Sequence, residues 1–170
     1  NVKVSVTDDD DSGVVQNYLG NTEKLDVNAL LIDEGFVSQG DTMIPIGSYT
    51  DTRRNDIYWF ITARDYDIIA VYHENNDGTS NGKLLLVETR GDQAMMNFNE
   101  SYLITGVNII DNLLFFTDGL NSPKRLLISN TYRDSNISSD TVNVIVKPPL
   151  SSPEVRLVKD IDVKENTIED

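Results

Sequence analysis

The sequence predicts an all-β fold built from two similar four-stranded antiparallel units, the pattern of propeller blades. Three observations predict it. Ile46-Gly47-Ser48-Tyr49-Thr50-Asp51, a polar turn and Ile57-Tyr58-Trp59-Phe60-Ile61-Thr62 are echoed by a second pair of runs. That pair is Thr105-Gly106-Val107-Asn108-Ile109-Ile110-Asp111 and, after one residue, Leu113-Leu114-Phe115-Phe116-Thr117-Asp118. Two further strand-like runs follow each pair. Finally, Gly, Asn, Asp and Pro cluster between the runs, where turns need positive φ or a fixed φ. Internal repetition marks supersecondary units that cannot bury their faces alone.

Asn1 to Thr7 alternates, with Val2, Val4 and Val6 on one side, which is the period of a half-buried strand. Asp8-Asp9-Asp10-Asp11-Ser12-Gly13 interrupts it, because adjacent like charges repel and stay hydrated. Val14 to Leu19 reads as a second strand. Leu25 to Leu31 reads equally as a short helical turn or as loop, and Gly35 and Gly40 bracket a loop.

The first unit begins with a strand at Thr42 to Thr50 and turns at Asp51-Thr52-Arg53-Arg54-Asn55-Asp56. Ile57 to Thr62 is almost wholly apolar or aromatic, as in a strand buried on both faces. Asp67 to His73 is the third strand, Asn75 to Gly82 a hairpin loop, and Lys83 to Thr89 the fourth strand. The second unit repeats the order. Its strands are Tyr102 to Ile110, Leu113 to Thr117, Lys124 to Ser129 and Thr141 to Val146. They are joined by Asp111-Asn112, by Gly119 to Pro123 and by a polar loop from Ser135 to Asp140. Pro148, Pro149 and Pro153 then stop the sheet and stiffen an extended connector. Val155 to Val163 reads as one more strand, and Lys164 to Asp170 as a charged tail. The resulting divisions are an arm at 1–41, blades at 42–89 and 102–147, and a connector with its tail at 148–170. Tyr58, Phe60, Ile109, Phe115 and Leu126 are the expected core. A closed propeller needs about four blades or more, so two would leave edges for other chain to complete. A β-sandwich of about eight strands is the alternative.

Composition bounds the chemistry. The chain has 170 residues and a formal charge of -14. Nucleic-acid affinity rests on Lys and Arg displacing counterions, so no specific nucleic-acid binding is expected. No apolar run approaches the ~20 residues of a membrane span. There is no Cys and a single His, His73, so a thiolate metal site and the usual nucleophile–imidazole pairings lack their residues. No catalytic residue, cofactor or required metal is expected, and the chain is read as not an enzyme. Asp8, Asp10 and Ser12 offer alternate oxygen ligands with a following Gly13, part of a calcium-loop pattern. The closing Glu is missing, Leu19 standing in its place. Asn75, Asp77 and Thr79 are explained by hairpin chemistry, and Arg53 and Arg54 by local ion pairs with Asp51 and Asp56.

A resemblance adds context. Gly47 to Phe60, Tyr102 to Ile110, Leu113 to Arg125 and the connector Lys147-Pro148-Pro149-Leu150-Ser151-Ser152-Pro153, preceded by Gly20-Asn21, together resemble the N-terminal propeller-like region of large virion proteins of crAss-like tailed phages, the muzzle proteins. It covers roughly residues 14 to 155. The acid run at Asp8 to Asp11 has no counterpart in the pattern. The resemblance implies a structural role in the virion tail, with other tail proteins and other segments of the same precursor as partners in a homo-oligomeric assembly. It brings no catalytic residues. The start at Asn1 leads to the expectation of a fragment or cleavage product of a longer protein. A glycan-binding or glycan-hydrolysing propeller on a phage or bacterial surface is the alternative. An acidic wall facing a tail lumen would let DNA pass without sticking.

Overall fold

The computed structural model describes residues 2–5, 14–17, 23–36 and 42–145. At the N-terminus β1 (Val2–Ser5) pairs antiparallel with β2 (Val14–Asn17), Val4 facing Val15 across the ladder. Both lie within the strands expected there. Asp8, Asp10 and Ser12, the candidate calcium ligands, fall outside the described residues, as does the chain from Val146 onward.

The stretch that read as helical turn or loop is helix α1 (Val27–Asp33). Asp26 caps it by accepting from the Ala29 N–H at 3.1 Å. Gly35, at φ +85°, ends it, and the N–H groups of Gly35 and Phe36 return to the Ile32 and Leu31 carbonyls.

Next come β3 (Ile44–Asp51), β4 (Asp56–Thr62), β5 (Tyr66–Glu74) and β6 (Ser80–Thr89), an antiparallel meander. Then β7 (Gly106–Ile110), β8 (Leu113–Thr117) and β9 (Lys124–Leu127) form a second meander. Local chemistry sets both turns. Asp51 accepts from the Arg53 N–H, and Asn55 takes φ +54°. Asp111 takes φ +55° in the tight turn before β8, a conformation that Asp and Asn tolerate better than most residues.

The two sheets pack face to face. Ile46, Tyr58, Phe60, Ile69, Val71 and Leu86 of the larger sheet meet Ile109, Leu114, Phe116 and Leu126 of the smaller. Met96 and Phe98, from the connector between the sheets, fill the gap. On the opposite side of the larger sheet, Leu31 of α1 joins Ile61, Ile68, Ala70, Leu84 and Val87 in a second core. The layers therefore run α1, larger sheet, smaller sheet. The described sheets do not close into a ring.

Four expectations are corrected. The second unit has three antiparallel strands among the described residues, because Thr141 and Val142 belong to a helical turn, α2 (Ser139–Val142). Ser138 caps that turn reciprocally with Thr141, and Val142 is buried in the core. Asn143 makes only an isolated bridge to Lys124. Secondly, β10 (Tyr132–Arg133) leaves the smaller sheet and adds in parallel to β6, giving a five-stranded order β10-β6-β5-β4-β3. Thirdly, Phe115 is half-buried on the outer face, and its neighbour Phe116 occupies the core. Lastly, β4 is not buried on both faces throughout, since Trp59 is 39% exposed.

Gly47 shows how closely the connector approaches the first sheet. It follows a bulge in β3, and a Cβ built there would stand 2.7 Å from the Ile104 Cβ. Ile104 is tied to the edge of β3 by its N–H to the Ile46 carbonyl at 2.9 Å. Gly47→Ala is expected to cost about 1–3 kcal/mol by overpacking. Urea unfolding checks this, and adding Ile104→Ala should recover part of the loss.

Candidate functional site

His73, expected at a strand edge, stands at the end of β5 opposite Asp56 at the start of β4. Its Nδ1 lies 2.6 Å from Asp56 Oδ1, and the Tyr58 hydroxyl donates to Asp56 Oδ2 at 3.2 Å. Burial foremost, then the Asp56 charge, pushes the Tyr58 phenol above its ordinary range, so it stays a neutral donor. The carboxylate orients the imidazole. No hydroxyl is hydrogen-bonded to that imidazole among the described residues, so no nucleophile is presented with it.

Arg53 and Arg54 make local ion pairs with one of the two expected partners, the buried carboxylate of Asp51 at 3.4 and 3.3 Å, while Asp56 is engaged by His73 and Tyr58 instead. They also reach across to the smaller sheet. Arg53 donates to the Ile109 carbonyl and Arg54 to that of Asp111.

A row of polar side chains at the other end of the larger sheet was not anticipated. Register aligns Thr62, Asp67 and Glu88 across β4, β5 and β6. Asp67 accepts from the Phe98 N–H at 2.9 Å and from the Thr62 hydroxyl at 3.1 Å. Glu88 accepts from the N–H groups of Met95 and Met96, each at 2.7 Å. Arg90 lies 3.6 Å from Asp67 and donates to the Ala63 carbonyl at 3.2 Å. Two buried carboxylates thereby hold the backbone of the connector and aim Met96 and Phe98 into the core. The only trace of this in the sequence is a polar residue within each apolar strand. Its partners are main-chain N–H groups, which carry no sequence signature.

Burial pushes the Asp67 carboxyl up to about 6 from 3.8, against the pull of the Phe98 N–H, Arg90 and Thr62. The folded chain thus holds this proton more tightly than the unfolded chain. Its stabilising contribution is complete below pH 3.8 and is lost as pH rises through about 6. Wild type is therefore expected to gain stability relative to Asp67→Asn as pH falls from about 7 to about 4.5. Urea midpoints across that window check it, and parallel curves for the two proteins would contradict it.

Beside this row opens a polar cavity of about 540 Å³, lined by Thr42, Thr62, Arg64, Arg90, Asn99 and Glu100. On the outer face of the larger sheet lies a groove of similar volume, about 540 Å³. Its lining is chiefly apolar, with Leu25, Val27, Met43, Ile57, Trp59 and Tyr72. Glycoside hydrolysis commonly requires two carboxyl groups flanking the bond. The groove brings one acid, Glu23, to its aromatic pair, and the cavity brings one, Glu100.

In the second oxygen-rich loop, Thr79 donates to Asp77 through both N–H and hydroxyl, and Asn75 donates to the Thr79 hydroxyl. Those bonds to Thr79 hold the Asp77 carboxyl below its ordinary range. This is hairpin chemistry closed on itself. Among the described residues no three His, Cys, Asp or Glu side chains gather as a metal site would need. No helix among them is long and apolar enough to cross a membrane. No protein-family model, curated protein or solved structure matches this chain.

Proposed function

We propose that this chain is a structural component of a bacteriophage tail assembly of the muzzle type, a fragment or cleavage product of a larger virion protein that works without catalysis. In this reading the two packed sheets are neighbouring blades of a partial propeller. The groove around Trp59 seats another tail protein or another segment of the same precursor. The observation that carries the reading is that groove. A chain of net charge -14 keeps an exposed Trp and a largely apolar hollow on its surface, and large apolar surface patches are characteristic of contact sites. Edge strands add support. β3 and β7 each have one side without a strand partner among the described residues, and natural proteins cover such edges. The resemblance of Gly47 to Phe60 and Leu113 to Arg125 to muzzle-type sequences supplies the virion context.

Mass spectrometry of purified virions is expected to recover peptides of this chain in stoichiometric amount. Trp59→Ser should cost a moderate amount of folding stability, about 1–2 kcal/mol for a partly buried aromatic on an interior strand, leaving the chain folded, yet abolish incorporation into particles. Recovery as a free cellular monomer absent from virions would overturn the reading.

The polar cavity favours a second reading, a glycan-binding or glycan-hydrolysing surface propeller. Arg64, Arg90 and Asn99 offer donors there to sugar hydroxyls or acidic substituents. Binding to host capsular polysaccharide that Arg90→Ala abolishes would favour it, and release of reducing ends would make it an enzyme.

A further inference from the structure

The polar cavity beside Thr62 and Asp67 holds an arginine that is anchored on one side and unused on the other. The Arg90 main-chain N–H donates to the Asp65 carbonyl at 2.9 Å, which fixes the root of the side chain. Among the described residues, every polar contact of its guanidinium runs through Nη1. That nitrogen donates to the Thr62 hydroxyl and to the Ala63 carbonyl and lies 3.6 Å from Asp67. Thr62 and Asp67 are buried, so the close-packed core holds these anchors. Nε and Nη2 are left without a partner among the described residues. They form the side-on edge of the guanidinium, two parallel N–H groups whose spacing matches the two oxygens of a carboxylate.

Three more groups of the cavity wall are available. Asn99 Oδ1 accepts from the Ser101 N–H at 2.9 Å. That bond orients the amide and leaves its Nδ2 end as a donor. Arg64 is held by an exposed ion pair with Asp65 at 3.6 Å, a contact too weak to restrain it. Glu100 has no ion-pair partner among the described residues. Together these groups select a ligand. The Arg90 fork suits a planar anion with two oxygens. Glu100 and a net charge of -14 disfavour a dianion such as phosphate. Ile44 and Ala63 are the only apolar side chains of the wall, too few for an apolar ligand. Glu100 can accept from hydroxyls, and Asn99 and Arg64 can donate to them. One carboxylate among several hydroxyls is the chemistry of a sugar acid, and about 540 Å³ lies in the range of small-ligand sites.

We propose that this cavity binds a uronate residue of an acidic glycan, with the carboxylate taken side-on by Arg90 Nε and Nη2 and the hydroxyls by Asn99, Arg64 and Glu100. Arg90 is then a binding residue, and Thr62 and Asp67 position it. The inference rests on the glycan reading of the cavity, whose ligand class it names, and it holds with or without a place in a virion.

Titration of the 15N-labelled full chain with trigalacturonate, followed by NMR, tests it. The methyl ester of the same trisaccharide keeps every hydroxyl and loses the charge. The acid is expected to shift the Arg90 Nε–H and Asn99 Nδ2–H resonances and to bind about tenfold more tightly than the ester, as a charge-assisted bidentate contact should. Arg90→Lys keeps the charge but not the fork, and should erase most of that preference. Asn99→Asp keeps the acceptor for the Ser101 N–H and puts a carboxylate where the amide donor stood. It should weaken binding of the acid about tenfold by like-charge repulsion, with amide resonances outside the cavity unchanged, so that a lost fold is not mistaken for a lost contact. Equal binding of acid and ester would overturn the uronate assignment and leave the glycan reading standing. Binding of neither would overturn both. Inorganic phosphate that reproduces the shifts of the acid would assign the cavity to simple anions and overturn the proposal.

Discussion

Phe60→Ala is expected to remove about 3–5 kcal/mol of folding stability, a loss at the upper end for a single core truncation. Phe60 is fully buried on β4 and faces the smaller sheet. Its ring centroid lies 5.0 Å from that of Phe116 on β8 and 6.3 Å from that of Phe98 in the connector. Phe98 and Phe116 are themselves 6.1 Å apart, edge to face. Three segments distant in sequence therefore meet at one aromatic cluster. Truncation loses the transfer free energy of a benzyl group and leaves a cavity that two sheets cannot close without sliding. Phe60→Leu, which keeps most of the volume, should cost far less, about 1–2 kcal/mol. Urea unfolding followed by Trp59 fluorescence measures both. A loss below about 1 kcal/mol for the alanine variant would mean that the sheets do not pack through this cluster.

Glu88→Ala is expected to be nearly as damaging, for a different reason. The side chain is buried, and each carboxylate oxygen accepts one main-chain N–H of the connector. Removing it leaves two donors without partners, one of them on the fully buried Met96. An unsatisfied buried group costs about 1–3 kcal/mol, so a total of about 2–4 kcal/mol follows. Glu88→Gln should fall between. Its carbonyl still accepts one N–H, while its amide nitrogen turns a donor toward the other. Amide hydrogen exchange gives the local readout. Met95 and Met96 should exchange much faster in the alanine variant, while amides in the centre of β5 change only as global stability does. Combining Glu88→Ala with Asp67→Asn should give a non-additive loss, since the two carboxylates are cross-strand neighbours holding one connector.

Much of the fold was legible locally. The bounds of β8 agree with the apolar run Leu113 to Thr117, because a tight turn at Asp111-Asn112 and the Gly119 to Pro123 turn fix both ends. The meander from β3 to β6 was legible for the same reason, with turn residues standing wherever the backbone reverses. Helix α1 was only half legible. Its seven residues are too short a run to display a helical period, and what decides it is a cap at Asp26 together with an apolar sheet face to pack on.

The phase of β8 was not legible. Leu113-Leu114-Phe115-Phe116 is apolar at every position, so period-2 reading cannot say which pair faces inward. The stretch from Thr141 misled in another way. Its β-branched residues suggest a strand, yet reciprocal capping by Ser138 and Thr141 turns the chain into a helical turn and buries Val142. Tyr132 and Arg133 show no strand pattern at all. They become β10 because the edge of β6 lies within reach once the sheets have packed.

Among the site residues, Arg53 and Arg54 were visible as partners of Asp51, since the pairing is local. The Asp67, Glu88 and Arg90 arrangement was not, because it depends on a connector folding back across strand ends. The sequence by itself determined the β class, the turns and most strand limits, since these follow from φ preferences and side-chain alternation within a few residues. Which faces are buried, which sheet each late strand joins and where two carboxylates meet two stretches of backbone were decided only by tertiary structure. Those outcomes depend on contacts between segments far apart in the chain, where the free energy of burial outweighs local propensity.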